Sequence, residues 1–199
     1  HVVLQHVGPE HVGPSRAAAQ DPKPASQRPA PSAPVLQRAR ELAGLAPEHG
    51  RIQRLAGTWD VALQTHAAAG AEVQQGRGTV VGQAILGGRY VVLSHRLELA
   101  GDTLEAVQIV GFDTLRGDYT ASWRDDRSTW EVACRGAPDT QQPDVLQLVG
   151  TLADARDPDG RPFRFELDLR DERLVTWRVW DRRADGEEFL LQDARWTRR

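Results

Sequence analysis

Outside an N-terminal stretch rich in Ala, Pro and Gln, the side chains equipped for chemistry are few: His49, His66, His95, Cys134, and tryptophans at 59, 123, 130, 177, 180 and 196. His95 is the sharpest of them. It lies mid-segment between Ser94 and Arg96, and alternation puts it on the same face as Val91 and Leu93. An imidazole on an apolar face is a candidate acid/base group or haem-iron ligand, and the competing reading is a satisfied core histidine. His49 falls in a helical lead-in, where capping or packing accounts for it, and His66 ends a strand beside Ala67-Ala68-Ala69. Arg89 follows Gly87-Gly88, a place where a guanidinium either grips a ligand carboxylate bidentately or pairs with a carboxylate on the next strand. Cys134 reads as a small buried hydrophobe, with its basic neighbour Arg135 on the opposite face. Asp125-Asp126-Arg127 reads as a solvated turn. No His-x-His, His-Glu-x-x-His, Gly-x-Ser-x-Gly or phosphate-loop spacing occurs, so no catalytic set, metal site or cofactor is assigned.

The composition narrows the partners. Twenty-five basic residues balance 28 acidic ones, with no concentrated basic block, which argues against nucleic acid. No apolar run approaches the ~20 residues of a membrane-spanning helix, so no transmembrane segment is expected and the chain reads as soluble. One cysteine excludes an internal disulfide and a Cys-rich metal centre. The sequence contains no methionine, even at position 1, which reads as a processed product or a fragment.

The elements that must position these residues follow from periodicity. Residues 1–34, with His-Val-Gly-Pro repeated at 6–9 and 11–14 and prolines at 22, 24, 29, 31 and 34, read as a disordered tail or linker. Residues 35–199 form the expected folded domain. Val35 to Leu45 has helical spacing, with Leu36, Ala39, Leu42 and Ala43 on one face, and Pro47 opens a second short helix carrying Ile52 and Leu55. From Thr58 the period becomes two. Strands are expected near 58–66, 74–85, 89–99, 103–112, 117–124, 128–135, 144–153, 162–170, 173–182 and 187–198, joined by Gly- and Asp-rich turns. Phe163 to Leu169 is apolar at every odd position and charged at every even one. A meander of about ten antiparallel strands with one buried face hides its edges by closing. The expected fold is all-β, an up-and-down barrel with the helical segment as plug or lid.

Five motifs occur in order: Glu48-His49; Leu55-Ala56-Gly57-Thr58-Trp59; Leu86-Gly87-Gly88-Arg89-Tyr90; Gly111-Phe112-Asp113; and Tyr119-Thr120-Ala121-Ser122-Trp123. Together they resemble the bacterial domain-of-unknown-function family 1579, over roughly residues 46–198. The resemblance implies a calycin-like barrel of the lipocalin or fatty-acid-binding-protein kind and no established activity. It also implies that an Ala/Pro/Gln-rich stretch such as Ala17–Pro34 is the spacer after an export signal, hence an exported protein. A haem-binding barrel that also begins Gly-x-Trp carries its iron ligand in a late strand, whereas no histidine follows Cys134 here. The motifs also have structural roles: Gly57 ends the helix, Trp59 closes one barrel end against it, Gly87-Gly88 makes a tight turn, and Asp113 bonds its own backbone.

The leading functional expectation is a binding module for a small apolar or amphipathic ligand, with Trp59, Arg89, Tyr90, His95 and Trp123 lining the interior or its mouth. The alternative is a filled barrel whose outward tryptophan, one of the Trp177/Trp180 pair, makes a partner or homodimer surface. An enzyme is disfavoured.

Overall fold

A computed structural model describes residues 31–66, 69–155, 157–182 and 186–199 of the chain. The tail assigned to 1–34 therefore lies almost wholly outside the described residues, as do its histidines. Two helices, α1 (Ala33–Leu42) and α2 (Pro47–Gln53), precede ten strands. These are β1 (Gly57–His66), β2 (Val73–Ile85), β3 (Tyr90–Leu99), β4 (Asp102–Asp113), β5 (Asp118–Asp125), β6 (Val132–Gly136), β7 (Val145–Leu152), β8 (Arg161–Asp168), β9 (Leu174–Arg182) and β10 (Glu188–Arg198). Each strand pairs antiparallel with its sequence neighbour, and β1 pairs with β10, so the meander closes into a barrel without free edges. All ten expected strands are present. The one clear boundary difference is β6, which begins at Val132 and not near 128. Asp125 accepts backbone N–H from Arg127 at 3.0 Å, and the resulting turn carries Trp130 outside the ladder.

Period-2 alternation fills the interior from all sides: Trp59, Val61 and Leu63 from β1, Val91, Leu93 and Leu97 from β3, Leu146 and Leu148 from β7, Phe163, Phe165 and Leu167 from β8. The two barrel ends differ. One is plugged by α2 and the turn that follows it, through Ile52 on the helix and Leu55 just beyond it, both fully buried. The plug is held by polar contacts suited to a helix with exposed terminal groups. At its start the Ala46 N–H donates to His49 Nδ1 at 2.9 Å, and the His49 ring meets Phe112 edge-on at 5.7 Å. At its end Arg198 donates to the Ala56 carbonyl at 3.0 Å and the Arg54 carbonyl at 2.7 Å, while its guanidinium lies 4.1 Å from the centre of the Trp59 ring. Gly82 on β2 lets the helix seat, because a Cβ there would overlap the Leu55 carbonyl. The 3₁₀ turn Leu86–Gly88 beside the plug needs positive φ at Gly87 and Gly88, 69° and 86°.

Helix α1 is a departure from the expected amphipathic packing. None of its residues is buried, and Val35 and Leu36 are exposed. It is anchored instead through its C-terminal carbonyls, where Arg89 Nη2 donates to Ala43 O at 2.7 Å and the Thr114 hydroxyl donates to Leu42 O.

Candidate functional site

At the end opposite the plug, the barrel interior opens into a cavity of about 430 Å³. Strand ends and the turns at this end make its mouth, with Asp125, Arg127, Trp130 and Asp154; deeper in, Trp123, Trp177, Phe165, Gln108 and Cys134 make the walls. The position of each follows from register. Gln108 on β4 is opposite Trp123 on β5, and Cys134 on β6 is opposite Ala121 on β5, so the small residues leave room beside the large rings. Trp177 is inward on β9, between Val175 and Val179.

The aromatic rings form one connected box. Trp123 and Trp177 are 5.2 Å apart at their centres, and Phe165 meets Trp177 edge-on at 5.9 Å. His95, 3 % exposed, sits behind them at 4.8 Å from Trp123, 5.6 Å from Trp177 and 5.5 Å from Trp196. Burial holds the imidazole neutral, its pKa pushed down to about 3 against a weak opposing pull from the adjacent Gln108 amide. That amide makes no hydrogen bond of good geometry with the ring: both imidazole nitrogens, Gln108 Oε1, and the indole nitrogens of Trp177 and Trp196 are buried without a hydrogen-bond partner. Behind the aromatic wall the interior is thus uncharged and holds several polar atoms without partners.

The mouth differs in kind. Trp123 Nε1 donates to Asp125 Oδ2 at 2.9 Å, which turns this ring edge toward the rim. Arg161 grips the buried Asp181 with two contacts of 2.8 and 2.7 Å and reaches Asp154 at 2.9 Å, so its proton is held more tightly than in free arginine. Cys134 is half-buried, and burial pushes its thiol up to about 12, which leaves it protonated and a poor nucleophile at neutral pH. Among the described residues, no group of three or more His, Cys, Asp or Glu side chains is arranged to hold a metal ion.

Of the five residues expected to line a site, the structure brings His95 and Trp123 together and leaves three elsewhere. Trp59 is fully buried at the plugged end, its indole donating to Leu55 O at 3.0 Å, away from the cavity. Arg89 lies at the plugged end, where it donates to the carbonyls of Leu86 and Ala43. Tyr90 points outward and lies across Gly111, its register partner, where a Cβ would collide with the ring. Of the residues that line the cavity, Phe165 and Gln108 were not singled out for a site by the sequence, and Trp177 entered only as one of the Trp177/Trp180 pair. Gln108 carried a readable signal, as a polar residue at a buried period-2 position between Ala106 and Val110. Trp180, the outward partner of Trp177, is half-buried beneath the Arg164 guanidinium, 3.6 Å from its ring centre.

The fold and the site define a closed ten-stranded antiparallel barrel, plugged by a helix at one end and open at the other to an aromatic cavity. The chain belongs to the family described as protein of unknown function DUF1579, which it matches over residues 45–198. No curated protein matches it significantly. Among solved structures it is similar to Rv2717c from M. tuberculosis, 13% identical, with a TM-score of 0.54 over 78% of this chain and 99% of that one. It is also similar to a de novo designed fluorescence-activating β-barrel, 15% identical, with a TM-score of 0.41 over 74% of this chain and 96% of that one. The likeness to Rv2717c is one of fold. No helix among the described residues is long and apolar enough to cross a membrane.

Proposed function

We propose that this protein binds a small, largely apolar ligand in the cavity at the open end of the barrel. The observation that carries the reading is the combination of about 430 Å³ of space with a wall of Trp123, Trp177 and Phe165 above buried, unpartnered polar atoms. Ligand sites typically have volumes of about 300–1,000 Å³ and join an apolar lining to a few placed polar groups. A barrel filled for structure alone gains nothing from leaving donors and acceptors unpaired, since each costs desolvation energy. A protonated thiol and a neutral histidine without an orienting partner supply no nucleophile–base pair, so the reading is binding and not turnover.

The test is native mass spectrometry of freshly purified protein, with solvent extraction of whatever denaturation releases, followed by titration of the extract back onto stripped protein. Saturable quenching of tryptophan fluorescence that is lost in Trp177→Leu is the expected result. A bare-chain mass together with no saturable quenching by apolar aromatic probes would overturn the reading.

A further inference from the structure

We infer that the ligand carries a cationic group, an ammonium held at the mouth of the cavity by Asp125, on an apolar body lodged deeper against Trp123, Trp177 and Phe165. This rests on the binding reading above and names the chemical class that the same cavity takes.

Asp125 is the last residue of β5, and period-2 alternation puts it on the inward face shared by Tyr119, Ala121 and Trp123. It is half-buried and lines the cavity where the barrel opens. Two neutral donors fix its carboxylate. The Trp123 indole gives its N–H to Oδ2 at 2.9 Å, and the Arg127 backbone gives its own to Oδ1 at 3.0 Å. Among the described residues Asp125 forms no ion pair. An ionised carboxylate accepts about four hydrogen bonds, so this one is oriented by its neighbours and still open to a cationic donor.

The other charges at the mouth favour the same sign. Asp154 and Asp181 both engage Arg161, so that cluster carries two carboxylates against one guanidinium. Arg127 also lines the cavity, but it is exposed on the turn beyond β5, where its guanidinium donates to Thr103 O at 3.4 Å. A ligand carboxylate beside Asp125 would lose water and meet like charge. An ammonium there gains a charge-assisted hydrogen bond. It also shares the mouth with the exposed ring of Trp130, and indole faces attract weakly hydrated cations.

Three probes of matched size separate the possibilities by equilibrium dialysis against the full chain: naphthylmethylamine, naphthylmethanol and naphthoate. At neutral pH they present a cation, a neutral hydroxyl and an anion on the same apolar body. The amine is expected to bind about tenfold or more tighter than the alcohol, since hydrogen bonds to an ionised group are roughly twice as strong as neutral ones. Naphthoate is expected to bind weakest. Asp125→Asn keeps an acceptor for the Trp123 indole while removing the charge, and should bring the amine down to the alcohol's affinity. Salt gives a second readout on the natural sequence, which serves if that variant does not fold. Raising NaCl from about 0.05 M to about 0.5 M should shrink the amine's advantage several-fold without weakening the alcohol. An alcohol that binds as tightly as the amine, naphthoate binding tightest, or an amine preference that survives Asp125→Asn or added salt overturns the inference and leaves the cavity as a binding site. Failure of all three probes to bind overturns both.

Discussion

At the scale of single residues, His95 is the most consequential group in the molecule. Its ordinary pKa of 6.5 falls to about 3 in the folded barrel because burial penalises the charged ring. Above pH 6.5 both folded and unfolded chains carry it neutral, and it contributes nothing to pH dependence. Below that, the unfolded chain takes up the proton and the folded one does not, so stability is lost as the pH falls toward the native value. The slope approaches about 1.4 kcal/mol per pH unit, and the loss between about pH 6 and about pH 4.5 is roughly 2 kcal/mol. Urea unfolding at several pH values should show this loss in the natural sequence and not in His95→Phe. Asp113 and Asp168, held low by Arg116 and Arg170, lose their own contributions in still more acid solution, in both proteins alike. Parallel curves for the two proteins would mean that His95 is not the buried neutral group described here.

At the scale of elements, the barrel has a strong end and a weak wall. The plug is secured by Arg198, which ties the end of α2 to the last strand through two carbonyls and the Trp59 face. Replacing it as Arg198→Met keeps the apolar stem and removes the charged donors. Hydrogen bonds from a charged group contribute about 1.5–3 kcal/mol each, and partial rehydration at this half-exposed site reduces that, so a loss of about 2–4 kcal/mol in chemical denaturation is expected. The weak wall is β6, joined to β7 at only two register pairs, Cys134↔Gly150 and Arg135↔Val149, whereas β3 and β4 share ten, from Tyr90↔Gly111 to Leu99↔Asp102. Amide exchange should therefore be fastest, among the strands, at Val132–Gly136, and slow through β3; equal protection would show that β6 is bound as firmly as the rest. The strands themselves were legible because alternation is a local signal that burial on one face enforces, as Phe163 to Leu169 illustrates. The site was only half legible. Alternation puts His95 on an inward face and Trp177 and Trp180 on opposite ones, but which inward residues meet depends on register around the whole barrel. That is a non-local property. Arg89 and Tyr90 lie apart from this cavity for the opposite reason: a Gly-Gly turn marks a rim, and the sequence does not say that this rim is the plugged one.

At the scale of the whole molecule, the question is whether the barrel is a container or a solid, and the packing around Ala121 decides it. Ala121 is inward on β5, opposite Cys134, and borders the cavity. In a barrel filled to native density, Ala121→Leu forces extra carbon atoms into occupied space and costs about 1–3 kcal/mol. In a barrel with about 430 Å³ of interior room the same atoms enter the cavity. They then bury apolar surface worth about 0.8 kcal/mol per methylene, offset by the strain of fitting one new rotamer. Stability within about 1 kcal/mol of the natural sequence, together with loss of ligand capacity, is the outcome expected of a container. The two readouts must move apart, because a variant that merely misfolds loses both. Closure of β1 onto β10 makes this separation possible: the wall is continuous without its contents, so the plugged end can stay rigid while the open end changes what it holds.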